Sequence, residues 1–251
     1  MRRLVLCEGP DDIVALREIG LSLFGAEVQR NPPWAGPAGE TRKLFLTIQG
    51  GDVEITAVER AKSGLAGALA TKLHGLPVDN SSDDPNALER ITVLFDPDDE
   101  PTEKLCARLA DEVAANAKAW KLDGSSGDWV ARRDAGRDVI VRAVRWRSPG
   151  EVVGGLPNLQ NLERLLCHVA ALAYPTEAEM VERWLGEISK AGKKPSWKAA
   201  LHLWSALVEP KSDPVAKFLR QNKICRPHVQ PALEHVSLFK DLSTALGFSQ
   251  S

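Results

Sequence analysis

The segment ITVLFDPDDE, residues 91–100, decides the reading of this chain, together with LVLCEGPDD, residues 4–12. Each is a short apolar run that ends on acid. Ile91, Val93, Leu94 and Phe95 give way to Asp96, Asp98, Asp99 and Glu100, and Leu4, Val5, Leu6 and Cys7 give way to Glu8, Asp11 and Asp12. Short β-branched runs bounded by Gly or Pro predict buried strands of a parallel sheet. Ligands of such sheets sit beyond the carboxyl ends of the strands. If both runs share one sheet, their carboxylates converge at one edge, and crowded like charges do not all stay ionised without a counter-charge. A hard divalent cation with oxygen ligands meets that need.

Working outward, residues 11–24 read as a helix, with Pro10 at its start and Ile13, Leu16, Ile19 and Leu23 on one face. Residues 31–40 read as a loop, 43–49 (KLFLTIQ) as a strand, and Gly50-Gly51-Asp52 as a turn into a helix over 53–73. A polar insertion covers 76–89. Leu105, Leu109, Val113 and Ala117 recur every four residues and predict a helix over 101–120. Residues 123–128 read as a flexible Gly/Ser/Asp loop, and 138–144 as a fourth strand. Alternating strands and helices predict an α/β fold with a largely parallel sheet. Beyond Pro149 the patterns over 159–173, 177–190, 195–208, 215–222 and 233–246 are all helical. The expected division is a sheet domain, 1–150, and a helical C-terminal region, 151–251.

Composition narrows the function classes. The apolar fraction of 43% suffices for a core, and a formal net charge of −2 gives no global sign of a polyanion binder. Cys7, Cys106, Cys167 and Cys225 lack metal-ligand spacing, as do the five histidines. The chain runs straight into its first strand without a signal peptide, and no apolar run reaches a membrane span of about 18 residues. The expectation is a soluble cytoplasmic protein.

A strand ending in Glu-Gly, followed by a later strand ending in Asp-x-Asp, resembles the Toprim domain of topoisomerases, bacterial primases and nucleases of the overcoming-lysogenization-defect type. Here Glu8-Gly9 and Asp96-Pro97-Asp98 carry the resemblance, which spans residues 1–148. It implies a Toprim-like Rossmannoid sheet, Mg²⁺ or Mn²⁺ held by Glu8, Asp96 and Asp98, and Glu8 as ligand or general acid/base. Asp12, four residues after Glu8, resembles the nuclease variant in which that position binds a second ion. Glu163, in GLPNLQNLE after the last sheet strand, resembles a further acid of small Toprim proteins. The same nucleases use a late lysine at the scissile phosphate, and KPSWKAALHLW offers Lys194 and Lys198, with Lys198 preferred. Many Toprim nucleases are fused to an ATPase, and this chain has no Walker motif. An alternative expectation is therefore a non-catalytic or regulatory module with a separately encoded ATPase partner, as in phage defence.

Helix capping competes for some of these residues. Asp99 or Thr102 would cap a helix starting near Pro101, and Glu100 suits its first turn. Asp96 lies too far back for that role. A haloacid-dehalogenase phosphatase places its Asp-x-Asp after the first strand, where this chain has Glu. A receiver domain wants an acid pair there. The tract from 190 to 226 sets nine Lys or Arg against Glu209 and Asp213, a net of +7. Lys217, Arg220 and Lys223 are its candidate contacts to a DNA or RNA backbone. The lone Tyr174 and the missing zinc-binding cluster speak against topoisomerase and primase activities.

Overall fold

The computed structural model describes residues 2–30, 32, 43–48, 51–58, 61–77, 87–97, 101–148, 156–208, 214–219, 225–234 and 238–246. The chain divides into two compact units. One comprises Met1–Arg145 with Asp241–Ser251, the other Trp146–Lys240. The C-terminal stretch thus belongs with the sheet, not with the helices that precede it.

Among the described residues, the first unit is an α/β sheet of eight strands. They are β1 (Arg2–Cys7), β2 (Glu27–Val28), β3 (Lys43–Ile48), β4 (Gly51–Ala57), β5 (Leu88–Phe95), β6 (Lys121–Ser125), β7 (Asp128–Arg132) and β8 (Val139–Arg145). Their order is β2-β3-β4-β1-β5-β8-β7-β6, with β4, β1, β5 and β8 mutually parallel and both flanks antiparallel. Helices α1 (Pro10–Phe24), α2 (Ala61–His74) and α3 (Thr102–Asn116) join the parallel strands. Leu4 and Leu6 share one core cluster with Leu65, Leu69, Leu105 and Leu109 of α2 and α3, and no residue of α1 belongs to it. α1 instead packs on β3 and β4. That is what right-handed crossovers demand: β1 to β4 runs one way along the sheet, while β4 to β5 and β5 to β8 run the other. α1 therefore covers one face, and α2 and α3 the opposite face.

Two expectations need correction. Residues 51–57 form strand β4, antiparallel to β3, and the helix begins only at Ala61. Buried Val53 and Ile55 alternate with Asp52, Glu54 and Thr56, a period of two that suits a strand. No helix N-terminus follows the Gly-Gly pair. Residues 123–128 are likewise no loop, but the end of a β6–β7 hairpin closed between Ser125 and Asp128. Ser126 and Gly127 both have positive φ, 55° and 94°, as a two-residue type I′ turn requires. Gly124, at φ 135°, faces the partner strand so closely that a Cβ would lie 2.2 Å from the Asp128 carbonyl oxygen. Gly124→Ala should therefore cost about 2 kcal/mol, read as a lower urea midpoint at unchanged slope.

The second unit is helical, and no strand occurs among its described residues. It contains α4 (Leu162–Ala173), α5 (Pro175–Lys190), α6 (Trp197–Val208), α7 (Pro214–Leu219) and α8 (Arg226–Glu234), and α9 (Leu238–Leu246) follows. α4 is its hub, in contact with α5, α6, α7 and α8. The Asn161 side chain caps α4 by accepting from the Arg164 N–H at 2.9 Å. No described helix is long and apolar enough to cross a membrane.

Candidate metal centre

β1 and β5 are neighbours, and their carboxyl ends release the chain to opposite faces, β1 into α1 and β5 into α3. Adjacent parallel strands that diverge in this way leave a crevice at their carboxyl ends, the topological switch point of the sheet. Glu8 stands directly after β1 and Asp96 directly after β5. The structure brings them together, since the Asp96 backbone N–H donates to Glu8 Oε1 at 2.8 Å. Both side chains are half-buried.

Asp12 lies in the first turn of α1 and is 6% exposed. Its Oδ2 accepts from the Gly9 N–H at 2.9 Å, which fastens the helix start to the end of β1. The Cys7 thiol records the local field. Burial pushes its pKa far up, the Asp12 charge adds to that, and Glu8 adds a smaller share against a bond to the Gly9 carbonyl. Cys7 is therefore a packed thiol with no thiolate character.

Asp98, Asp99 and Glu100 lie outside the described residues. The residue that precedes α3 is Pro101, with no side-chain cap, and Thr102 is the first residue of the helix itself rather than its cap. Among the described residues, no three His, Cys, Asp or Glu side chains form a metal-binding group. The donor chemistry nevertheless suits a hard cation. Glu8, Asp12 and Asp96 offer only carboxylate oxygens, the donor type that a hard cation takes.

The remaining candidates belong to the helical unit. Glu163 is half-buried in the first turn of α4, where an acid favours the helix dipole. Lys194 and Lys198 are exposed, the latter in the first turn of α6. Their link to the acidic edge is the resemblance alone. Lys217 must be corrected. It is 3% exposed, and its ammonium lies 5.9 Å from the Phe218 ring centroid. A side chain so buried presents no charge to a nucleic-acid backbone. Arg220 and Lys223 lie outside the described residues. The tract also loses charge at Lys190, which pairs with Glu187 at 2.7 Å.

One residue of the edge escaped the sequence reading. Arg145, the last residue of β8, stands beside Phe95 in the β5–β8 register, next to Asp96. Its Nη1 donates to Thr102 Oγ1 at 3.0 Å. The available signal was its place at the end of an apolar strand, the same signal that marked Glu8 and Asp96.

No protein-family model matches the chain, and no curated protein matches it. Among solved structures, the chain is similar to the crystal structure of a hypothetical protein from Pyrococcus horikoshii OT3. The two share 16% sequence identity and a TM-score of 0.65 over 98% of this chain and 99% of that one. At such identity the likeness establishes a common fold alone.

Proposed function

We propose that this chain is a divalent-metal-dependent nuclease with a Toprim-type site, acting on phosphodiester bonds of DNA or RNA. The observation that carries the reading is the Glu8–Asp96 hydrogen bond at the switch point of the parallel strands. Glu8, Asp96, Asp98 and Asp12 would hold Mg²⁺ or Mn²⁺. Such an ion, when bound, neutralises charge that develops on phosphoryl oxygens and lowers the pKa of water. Glu8 would exchange a proton with a group held at this edge, and the bond from the Asp96 N–H, which holds its carboxylate, supports that role.

A second reading, a non-catalytic module that serves a separate ATPase, draws on one specific observation. Glu8 Oε1 and Asp12 Oδ2 already accept backbone N–H groups, a task that structural acids perform. Activity separates the two. Purified protein with Mn²⁺ should cut single- or double-stranded DNA or RNA, and Asp96→Ala should lower the rate at least about a hundredfold, as for loss of one main electrostatic contributor. An inactive wild type across all four substrates would leave the second reading standing.

A further inference from the structure

We infer that Arg145 is a phosphate-binding residue of the acidic edge. The inference rests on the phosphodiester reading above and names the group in the sheet unit that would hold the substrate's charge.

The register fixes its place. β1 and β5 pair in parallel as far as Leu6 opposite Val93, and Glu8 lies just past the end of β1. Phe95 is opposite Arg145. Glu8 accepts from the backbone of the residue after Phe95, so Arg145 stands one strand beyond the Glu8–Asp96 pair, with strands about 4.8 Å apart. Side chains in one row point to one face. Phe95, with Val139 and Val141 of β8, belongs to the cluster under α2 and α3, so Arg145 projects toward α3, and the Thr102 bond anchors it there.

The chemistry of its contacts is the second argument. Arg145 is half-buried, and its hydrogen bond goes to a neutral hydroxyl. Among the described residues it makes no ion pair. Its strand neighbour Arg142, by contrast, pairs with Asp128 at 2.7 Å. A guanidinium has five N–H donors in a fixed fork that fits two oxygens of a phosphate. Held by one bond to Thr102, Arg145 keeps most of that fork for an anion. The N-terminal turn of α3, which carries Thr102, adds a positive dipole end in the same place. A phosphate seated between this fork and the Glu8–Asp96 pair would meet cationic donors on one side and the metal-holding acids on the other.

The test uses the full chain and two probes, inorganic phosphate and a short thymidine oligonucleotide. Binding is measured by calorimetry without divalent ions and again with Mn²⁺. Arg145→Ala should weaken both probes roughly ten- to hundredfold, the usual worth of a charged hydrogen-bonding group. Arg145→Lys should recover part of the loss, since it keeps the charge without the fork. Thr102→Val should weaken binding less than Arg145→Ala. The exposed Arg132→Ala, which removes the same charge elsewhere on the sheet unit, should leave binding as in wild type. Equal affinity of Arg145→Ala and wild type overturns the inference, as does a wild type that binds neither probe without metal. A wild type that binds phosphate through Arg145 yet shows no Mn²⁺-linked stabilisation and no cleavage would overturn the nuclease reading and leave the phosphate site in place. If Arg145→Ala proves unfolded by circular dichroism, Arg145→Lys and Thr102→Val decide.

Discussion

Millimolar Mn²⁺ is expected to raise the melting temperature of the wild-type chain, and Asp96→Ala and Asp98→Ala are expected to abolish the rise. A ligand that binds only the folded state stabilises it in proportion to the logarithm of its concentration over its dissociation constant. At about a hundred times that constant the gain is about 2.7 kcal/mol. For a chain of this length that corresponds to roughly 5–10 °C. Without metal the sign differs. Carboxylates gathered at one sheet edge repel each other, so removing one should leave stability unchanged or slightly higher. The bond that joins Glu8 to β5 survives in Asp96→Ala, because its donor is the backbone. Asp99→Ala should keep the full Mn²⁺ rise, in contrast to Asp96→Ala and Asp98→Ala. Melting curves of the four proteins with and without Mn²⁺ check all of this. Retention of the full rise in both Asp96→Ala and Asp98→Ala would make the acid cluster structural.

Glu54→Ala should have the other large effect. Glu54 is 3% exposed on β4, and three cations from three elements surround it. Arg2 of β1 bonds it, Lys72 of α2 lies at 3.3 Å and Lys43 of β3 at 4.0 Å. Removal of Glu54 takes away the acid that these three cations share among the described residues. Breaking a buried pair on one side typically costs about 3 kcal/mol or more. Melting should then fall by roughly 8 °C. Burial by itself pushes the Glu54 carboxyl up, but the charges of Lys72 and Arg2, then Lys43, outweigh it and hold it below the usual glutamate value. A lowered folded pKa means that the stabilisation is fully present above the ordinary value of about 4.3 and is lost as pH falls through the folded one. Urea midpoints of wild type and Glu54→Gln should differ at neutral pH and converge in acid. A constant gap at every pH would show that Glu54 acts through packing rather than charge.

Glu54 also marks where sequence reading reaches its limit. A Glu between Val53 and Ile55 reads as the solvent-facing residue of a helix over 53–73. Its burial depends on Arg2, 52 residues away, and Lys72, 18 residues away, and no local window contains that information. The Ser126-Gly127 turn is a different case. Its composition is that of a loop, and the positive φ at both positions shows why a tight hairpin needs the same residues.

What the sequence determined by itself is the set of elements whose pattern is local. The runs before Glu8 and Asp96, the four-residue repeat of α3 and the strand-free character of 156–208 all follow from apolar spacing within one segment. So does the expectation that acids end two strands. Which strands are neighbours is a different matter, because pairing joins residues far apart in the chain. Only the tertiary structure set β5 beside β1, so that the Asp96 N–H reaches Glu8 across 88 residues. Only it put Arg145 opposite Phe95, one strand beyond that pair, and only it buried Lys217 in a tract whose charge suggests an exposed surface. Charge is written in the sequence, but exposure depends on what packs against each side chain, and that is decided when the chain closes on itself.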